Sequence, residues 1–171
     1  MCYLARCLEE GDGVFTDHAA SIEWYTKAAE KGCTTAMLSL GACYRQGKVV
    51  APDNQVAAEW YRQAAERGSR EGQGLLAWCF ATGTGVPRDP ALAAKWWLDA
   101  AKQGDPEAQY QLGRLYETEG DMAASGTWYG QAAEQGHDKA RLYLRGLLAK
   151  LEELESPPIS PLVSTSPPPS P

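Results

Sequence analysis

A pair of adjacent aromatic residues returns four times along this 171-residue chain: Trp24-Tyr25, Trp60-Tyr61, Trp96-Trp97 and Trp128-Tyr129. The intervals are 36, 36 and 32 residues. Each pair is followed in register by two alanines and a glycine, as in Ala28-Ala29 with Gly32 and Ala132-Ala133 with Gly136. A second block recurs between the pairs: Leu40-Gly41 with Tyr44 and Gly47, Leu76-Ala77 with Phe80 and Gly83, then Leu112-Gly113 with Tyr116. Leu4-Ala5 with Leu8 and Gly11 is a weaker copy. A unit this short cannot bury its apolar face alone, so copies must stack on one another.

Each unit reads as two helices, A then B. Asp105-Pro106-Glu107 is a helix start: Asp caps, Pro sits where no amide bond is lost, and Glu meets the positive end of the dipole. Ala108, Leu112, Leu115 and Tyr116 then form an apolar stripe at helical spacing. Asp89-Pro90 opens a helix B whose Leu92, Ala93, Trp96, Trp97, Ala100 and Ala101 make two apolar lines, so it is expected to be buried on two sides. Gly104 follows as a left-handed terminator. The inter-helix link Gly83-Thr84-Gly85-Val86-Pro87-Arg88-Asp89 recurs at 11–17 and, degraded, at 47–53; the last unit shortens it to Glu119-Gly120-Asp121. Composition agrees with helix: Ala and Leu abound, while β-branched residues are scarce.

The pattern Ala-x-x-x-Leu-Gly-x-x-Tyr-x-x-Gly-x-Gly-Val-x-x-Asp, followed by Ala-x-x-Trp-Tyr-x-x-Ala-Ala-x-x-Gly, resembles the Sel-1-like repeat, a relative of the tetratricopeptide repeat. The resemblance covers about residues 1–150. It departs at Ala77, which replaces the helix-A glycine, and at Val49, which replaces the second loop glycine. It implies an all-α, right-handed α-α superhelix of units about 1–32, 33–68, 69–104 and 105–136. A capping helix over 137–155 follows, with Leu144, Leu147 and Leu148 facing the array and Arg145 in place of the close-packing glycine.

The first unit begins inside helix A, so either the array opens on a half-sized cap, or the sequence is a fragment or begins at an internal start. Residues 156–171, rich in Ser and Pro, cannot bury a core and are expected to be disordered. Their Ser-Pro steps offer proline-directed phosphorylation sites, and Pro158-Ile159-Ser160-Pro161 matches a PxxP ligand. The start lacks the apolar core of a signal peptide, and no 18-residue apolar window spans a membrane. A cytoplasmic monomer is the expectation. A net charge of −6 and a pI near 5.0 argue against a nucleic-acid partner.

No catalytic constellation emerges. Cys7, Cys43 and Cys79 share one repeat position with Leu115, which reads as apolar core. Packed helix axes about 8–10 Å apart keep them beyond the roughly 7 Å that a disulfide requires. Neither Cys2 nor Cys33 adds a zinc spacing, and no metal or cofactor is expected. Some cysteine-rich members of the family are described as β-lactamase-like hydrolases, but the within-repeat cysteine pairing is absent here. His18 and His137 both fall at helix starts and read as capping or solvated. Gly83-Thr84-Gly85 is turn chemistry, since a helix precedes it and no Lys-Ser/Thr follows. The Trp-Tyr pairs read as repeat core.

The expected function is therefore that of a scaffold or adaptor holding a protein or peptide partner. An array fragment with no function of its own is the alternative outside enzymology. The resemblance implies that helix A lines the concave face, through Leu38, Ala42 and Arg45, then Gly74, Trp78 and Ala81, then Tyr110, Arg114 and Glu117. Arg6 and Glu9 extend this face at one end and Leu142 at the other. Trp78 stands where other units carry Arg6, Ala42 and Arg114, a variation that a core position does not allow. Arg45, Trp78, Tyr110 and Arg114 are thus the candidate partner-binding residues, Trp and Arg being enriched at binding hot spots.

Overall fold

The computed structural model describes residues 2–10, 17–47 and 50–155. The Ser/Pro segment, with its expected disorder, phosphorylation sites and PxxP match, lies outside them, as do residues 11–16 and Val49. Among the described residues are nine helices and no strand: α1 (Cys2–Glu10), α2 (His18–Glu30), α3 (Thr34–Gln46), α4 (Asn54–Glu66), α5 (Arg70–Thr82), α6 (Pro90–Lys102), α7 (Pro106–Glu119), α8 (Met122–Glu134) and α9 (Asp138–Glu155). Odd-numbered helices are the A helices and even-numbered ones the B helices. Each packs mainly on its neighbours in sequence, which makes an all-α repeat solenoid. No helix among the described residues is long and apolar enough to cross a membrane.

Local chemistry sets the helix ends. Asp89 Oδ1 accepts from the Ala91 and Leu92 amides at 3.0 Å, and Asp105 Oδ1 from Ala108 at 2.8 Å. Such caps contribute about 1 kcal/mol each. His137 caps α9 by accepting the Ala140 amide on Nδ1 at 3.1 Å. Gly104 lies at φ +83°, the left-handed conformation expected of it.

The core alternates down the stack. Tyr25, Tyr61 and Tyr129 are buried together with Leu40, Leu76, Leu112 and the Ala-Ala pairs of the first three units; of the last pair Ala132 is buried and Ala133 half-buried. A Cβ on Gly113 would lie 2.5 Å from Tyr129 Cδ1, so the missing side chain lets the ring sit flat on α7. Gly41 plays the same part under Tyr61. The tryptophans differ from the core expectation. Trp24, Trp60 and Trp128 are only partly buried. Adjacent helical residues point about 100° apart, so tyrosine enters the hairpin while tryptophan reaches elsewhere. Trp60 packs on the cluster holding Ala28 and Ala29, and Trp128 on that holding Ala100 and Ala101.

Two glutamine relays join the units. Gln109 Nε2 donates to Ala101 O at 3.2 Å, and Gln109 Oε1 accepts from Gln135 Nε2 at 2.7 Å. Gln73 repeats this between Ala65 O and Gln103. The buried amide thereby adds a further donor to a carbonyl at the end of the preceding B helix, which already accepts the amide of the closing glycine. Less well served are Ser21 and Ser125, whose hydroxyls are buried without a partner among the described residues. Alanine fills the same register as Ala57 and Ala93. Ser125→Ala is therefore expected to raise stability by about 1 kcal/mol, because it removes an unpaid desolvation cost. Urea unfolding followed by circular dichroism checks the sign.

Candidate functional site

The A helices form the inner side of the stack. α3 touches α5 and α7 touches α9, while among the described residues no two B helices approach as closely. α5 and α7 are also further apart, and between them the inner face opens into a cavity of about 300 Å³. Arg45, Glu71, Gly74, Trp78, Trp97 and Glu107 are among its lining residues.

Trp78 is 38% exposed. Arg45, at the end of α3, sets its guanidinium carbon 5.8 Å from the Trp78 ring centroid, within cation–π range. These two candidates meet at the cavity. The other two meet each other instead: Arg114 lies 5.9 Å from the Tyr110 ring centroid. Arg114 faces a separate cleft of about 280 Å³ with Arg88, Trp97 and Leu115. Tyr110 departs from the expectation of a groove-lining residue, being only 5% exposed. His137 stacks on it at 4.8 Å and Tyr143 meets its edge at 5.6 Å. Burial, together with the Tyr143 hydroxyl, pushes its phenol above the ordinary value.

The remaining face positions are mixed. Leu38, Ala42, Ala81 and Glu117 are half-buried, Arg6 is exposed, and Leu142 is 64% exposed. The side chain of Glu9 lies outside the described residues. In α9, Leu147 is buried and Leu144 half-buried as expected, but Leu148 is 51% exposed. Leu148 stands where Phe80 is covered by α6, and among the described residues no B helix follows α9.

Sequence reasoning missed the acidic wall of the cavity. Glu107 accepts from Gln111 Nε2 at 2.7 Å on Oε1 and pairs with His137 Nε2 at 3.0 Å on Oε2. Burial would raise its pKa, but these two hydrogen bonds and the charge on Lys139 outweigh it and hold the carboxyl below its usual range. Glu71 and Glu107 hold one repeat position, so their convergence could have been found by aligning the units. The cysteines lie as expected: Cys7, Cys43 and Cys79 are buried on successive A helices. Burial pushes the Cys79 thiol up to about 11, so it stays protonated at neutral pH and is a poor nucleophile.

The Sel1 repeat model matches residues 1–33, 34–69, 70–105 and 106–137. A protective antigen of uropathogenic Escherichia coli is 34% identical, with a TM-score of 0.80 over 84% of this chain and 32% of its own. A Sel1 repeat protein from Oxalobacter formigenes is 28% identical, with a TM-score of 0.78 over 84% of this chain and 60% of its own. The chain thus spans about a third of the first relative's length and three-fifths of the second's. Cysteine-rich protein B of Helicobacter pylori shares the fold at 22% identity and a TM-score of 0.54, over 62% of this chain and 86% of its own. No curated protein sequence matches. Four matched repeats, built from hairpins that bury one another's tyrosines and alanines, place this chain in the Sel1 repeat family.

Proposed function

We propose that this chain is an interaction scaffold that holds a segment of a partner protein along the inner face of its A helices. The observation that carries this reading is Trp78. An indole more than one-third exposed, with Arg45 over one face and a formed cavity beside it, has the composition and setting of a binding hot spot. Membership of a repeat family whose stacked hairpins create an extended inner surface supports it. Arg114 extends the contact surface beside the buried Tyr110 ring. Tyr110 acts by holding Arg114 in place and not by touching the partner.

Capture of partners from the native host tests the reading, using the wild type, Trp78→Ala and the outer-face variant Lys95→Ala. Hot-spot truncation costs about 2 kcal/mol or more, or roughly 30-fold in affinity. The expected result is a partner retained by wild type and Lys95→Ala and depleted about 30-fold by Trp78→Ala, with the melting temperature within a few degrees. A fall of many degrees with capture unchanged makes Trp78 a structural residue and ends the proposal.

A further inference from the structure

We infer that the cavity beside Gly74 receives an arginine side chain of the partner segment. The inference rests on the groove reading above and adds the chemistry of one subsite. Its basis is a difference between repeats. Leu38, Gly74 and Tyr110 hold one position on successive A helices. At Tyr110 the ring fills the space beside the next A helix and stacks on its cap, His137, at 4.8 Å. At Gly74 the chain supplies nothing, and a Cβ there would find Asp105 Oδ2 as its nearest neighbour at 3.8 Å. The place that one unit fills with its own flat side chain is open in the other.

The walls define what fits. Trp78 and Trp97 supply indole surface, and Glu71, Asp105 and Glu107 supply carboxylates. Arg45 is the one cationic side chain among the described residues of the lining and lies against Trp78. Asp105 spends Oδ1 on the Ala108 amide, and Oδ2 is the atom nearest the open position. Glu107 is already engaged by Gln111 and His137, so Glu71 and Asp105 Oδ2 are the carboxylate groups set against the one guanidinium; they call for a cation, and the flat stack in the neighbouring unit calls for a planar one. A guanidinium satisfies both: it stacks on indoles and donates to carboxylates in a fixed fork, which an ammonium does not. At about 300 Å³ the cavity is at the floor of the size range for ligand sites, the scale of one side chain.

The test titrates the ¹⁵N-labelled full chain with acetyl-Gly-Gly-Arg-Gly-Gly-amide, and with the same peptide carrying citrulline or lysine. The indole N–H signals of Trp78 and Trp97 are followed. The arginine peptide is expected to shift both signals saturably, with the citrulline and lysine peptides at least tenfold weaker. Gly74→Leu, which installs the residue of the Leu38 position, should abolish the shifts. Glu71→Gln, an exposed site, should weaken them severalfold and serves if the leucine variant does not fold. Equal binding of the citrulline peptide, undiminished binding by Gly74→Leu, or no shift at either indole overturns the inference. Partner capture that still depends on Trp78 would then leave the groove reading standing, so the two failures are distinct.

Discussion

Tyr129→Ala lowers the unfolding free energy by about 3–5 kcal/mol, the range for emptying a large buried aromatic site. Tyr129→Phe lowers it by about 1–2 kcal/mol, and the same change at Tyr61 is neutral or stabilising by up to about 1 kcal/mol. The two tyrosines occupy one repeat position and both rings are buried on a helix-A glycine. Their hydroxyls differ. Tyr129 Oη donates to Glu117 Oε2 at 2.9 Å, and Glu117 Oε1 in turn accepts from Lys150 Nζ at 3.3 Å. The ring also meets Tyr110 at 6.0 Å and Tyr143 at 5.6 Å, so Tyr129 joins α7, α8 and α9. Tyr61 Oη is buried with no partner among the described residues. The residue at the position of Glu117 is Arg45, which has no lone pair to offer. Removing a satisfied hydroxyl loses a charge-assisted bond; removing an orphaned one relieves a desolvation penalty. Urea unfolding of the three variants measures this, and equal losses from both phenylalanine substitutions would refute the account. In a domain of this size, Tyr129→Ala corresponds to a fall of roughly 10 °C in melting temperature.

What the sequence made legible was whatever recurs at one spacing. Identical residues in successive units face the same kind of neighbour, so the tyrosines, the Leu-Gly blocks and the Asp caps could be read without coordinates. The groove could be read only in part, because its character comes from residues that break the pattern. Trp78 announced itself as an odd side chain, but Gly74 is an odd absence, and its consequence depends on Asp105 and Glu107 one unit on. Tyr110 differs from the sequence expectation for the same reason. Its offset from Leu112 puts it on the inner face, yet His137 and Tyr143 of α9 cover the ring. The glutamine relays were invisible because partners 26 and 30 residues apart carry no local signature.

The seam between units 2 and 3 gives the second large effect: Gly85→Ala is expected to cost about 2–5 kcal/mol, against about 1–2 kcal/mol for Gly104→Ala. Both glycines have positive φ, +74° and +83°, and both variants incur the left-handed penalty of about 1–2 kcal/mol. A Cβ on Gly104 meets nothing within 4 Å. A Cβ on Gly85 would run into the carbonyl oxygen of Asn54, at the start of α4 in the preceding unit. That oxygen belongs to helix backbone and has no rotamer by which to withdraw. The loop must lift off α4 instead, and overpacking of this kind adds about 1–3 kcal/mol. In a linear array each unit is stabilised by its neighbours, so weakening one interface lets the two sides melt separately. Gly85→Ala should therefore broaden or split the thermal transition, and Gly104→Ala should shift it while leaving it single. If the two variants melt alike, the contact with Asn54 carries no coupling between the units, and the array is held together by its helix faces alone.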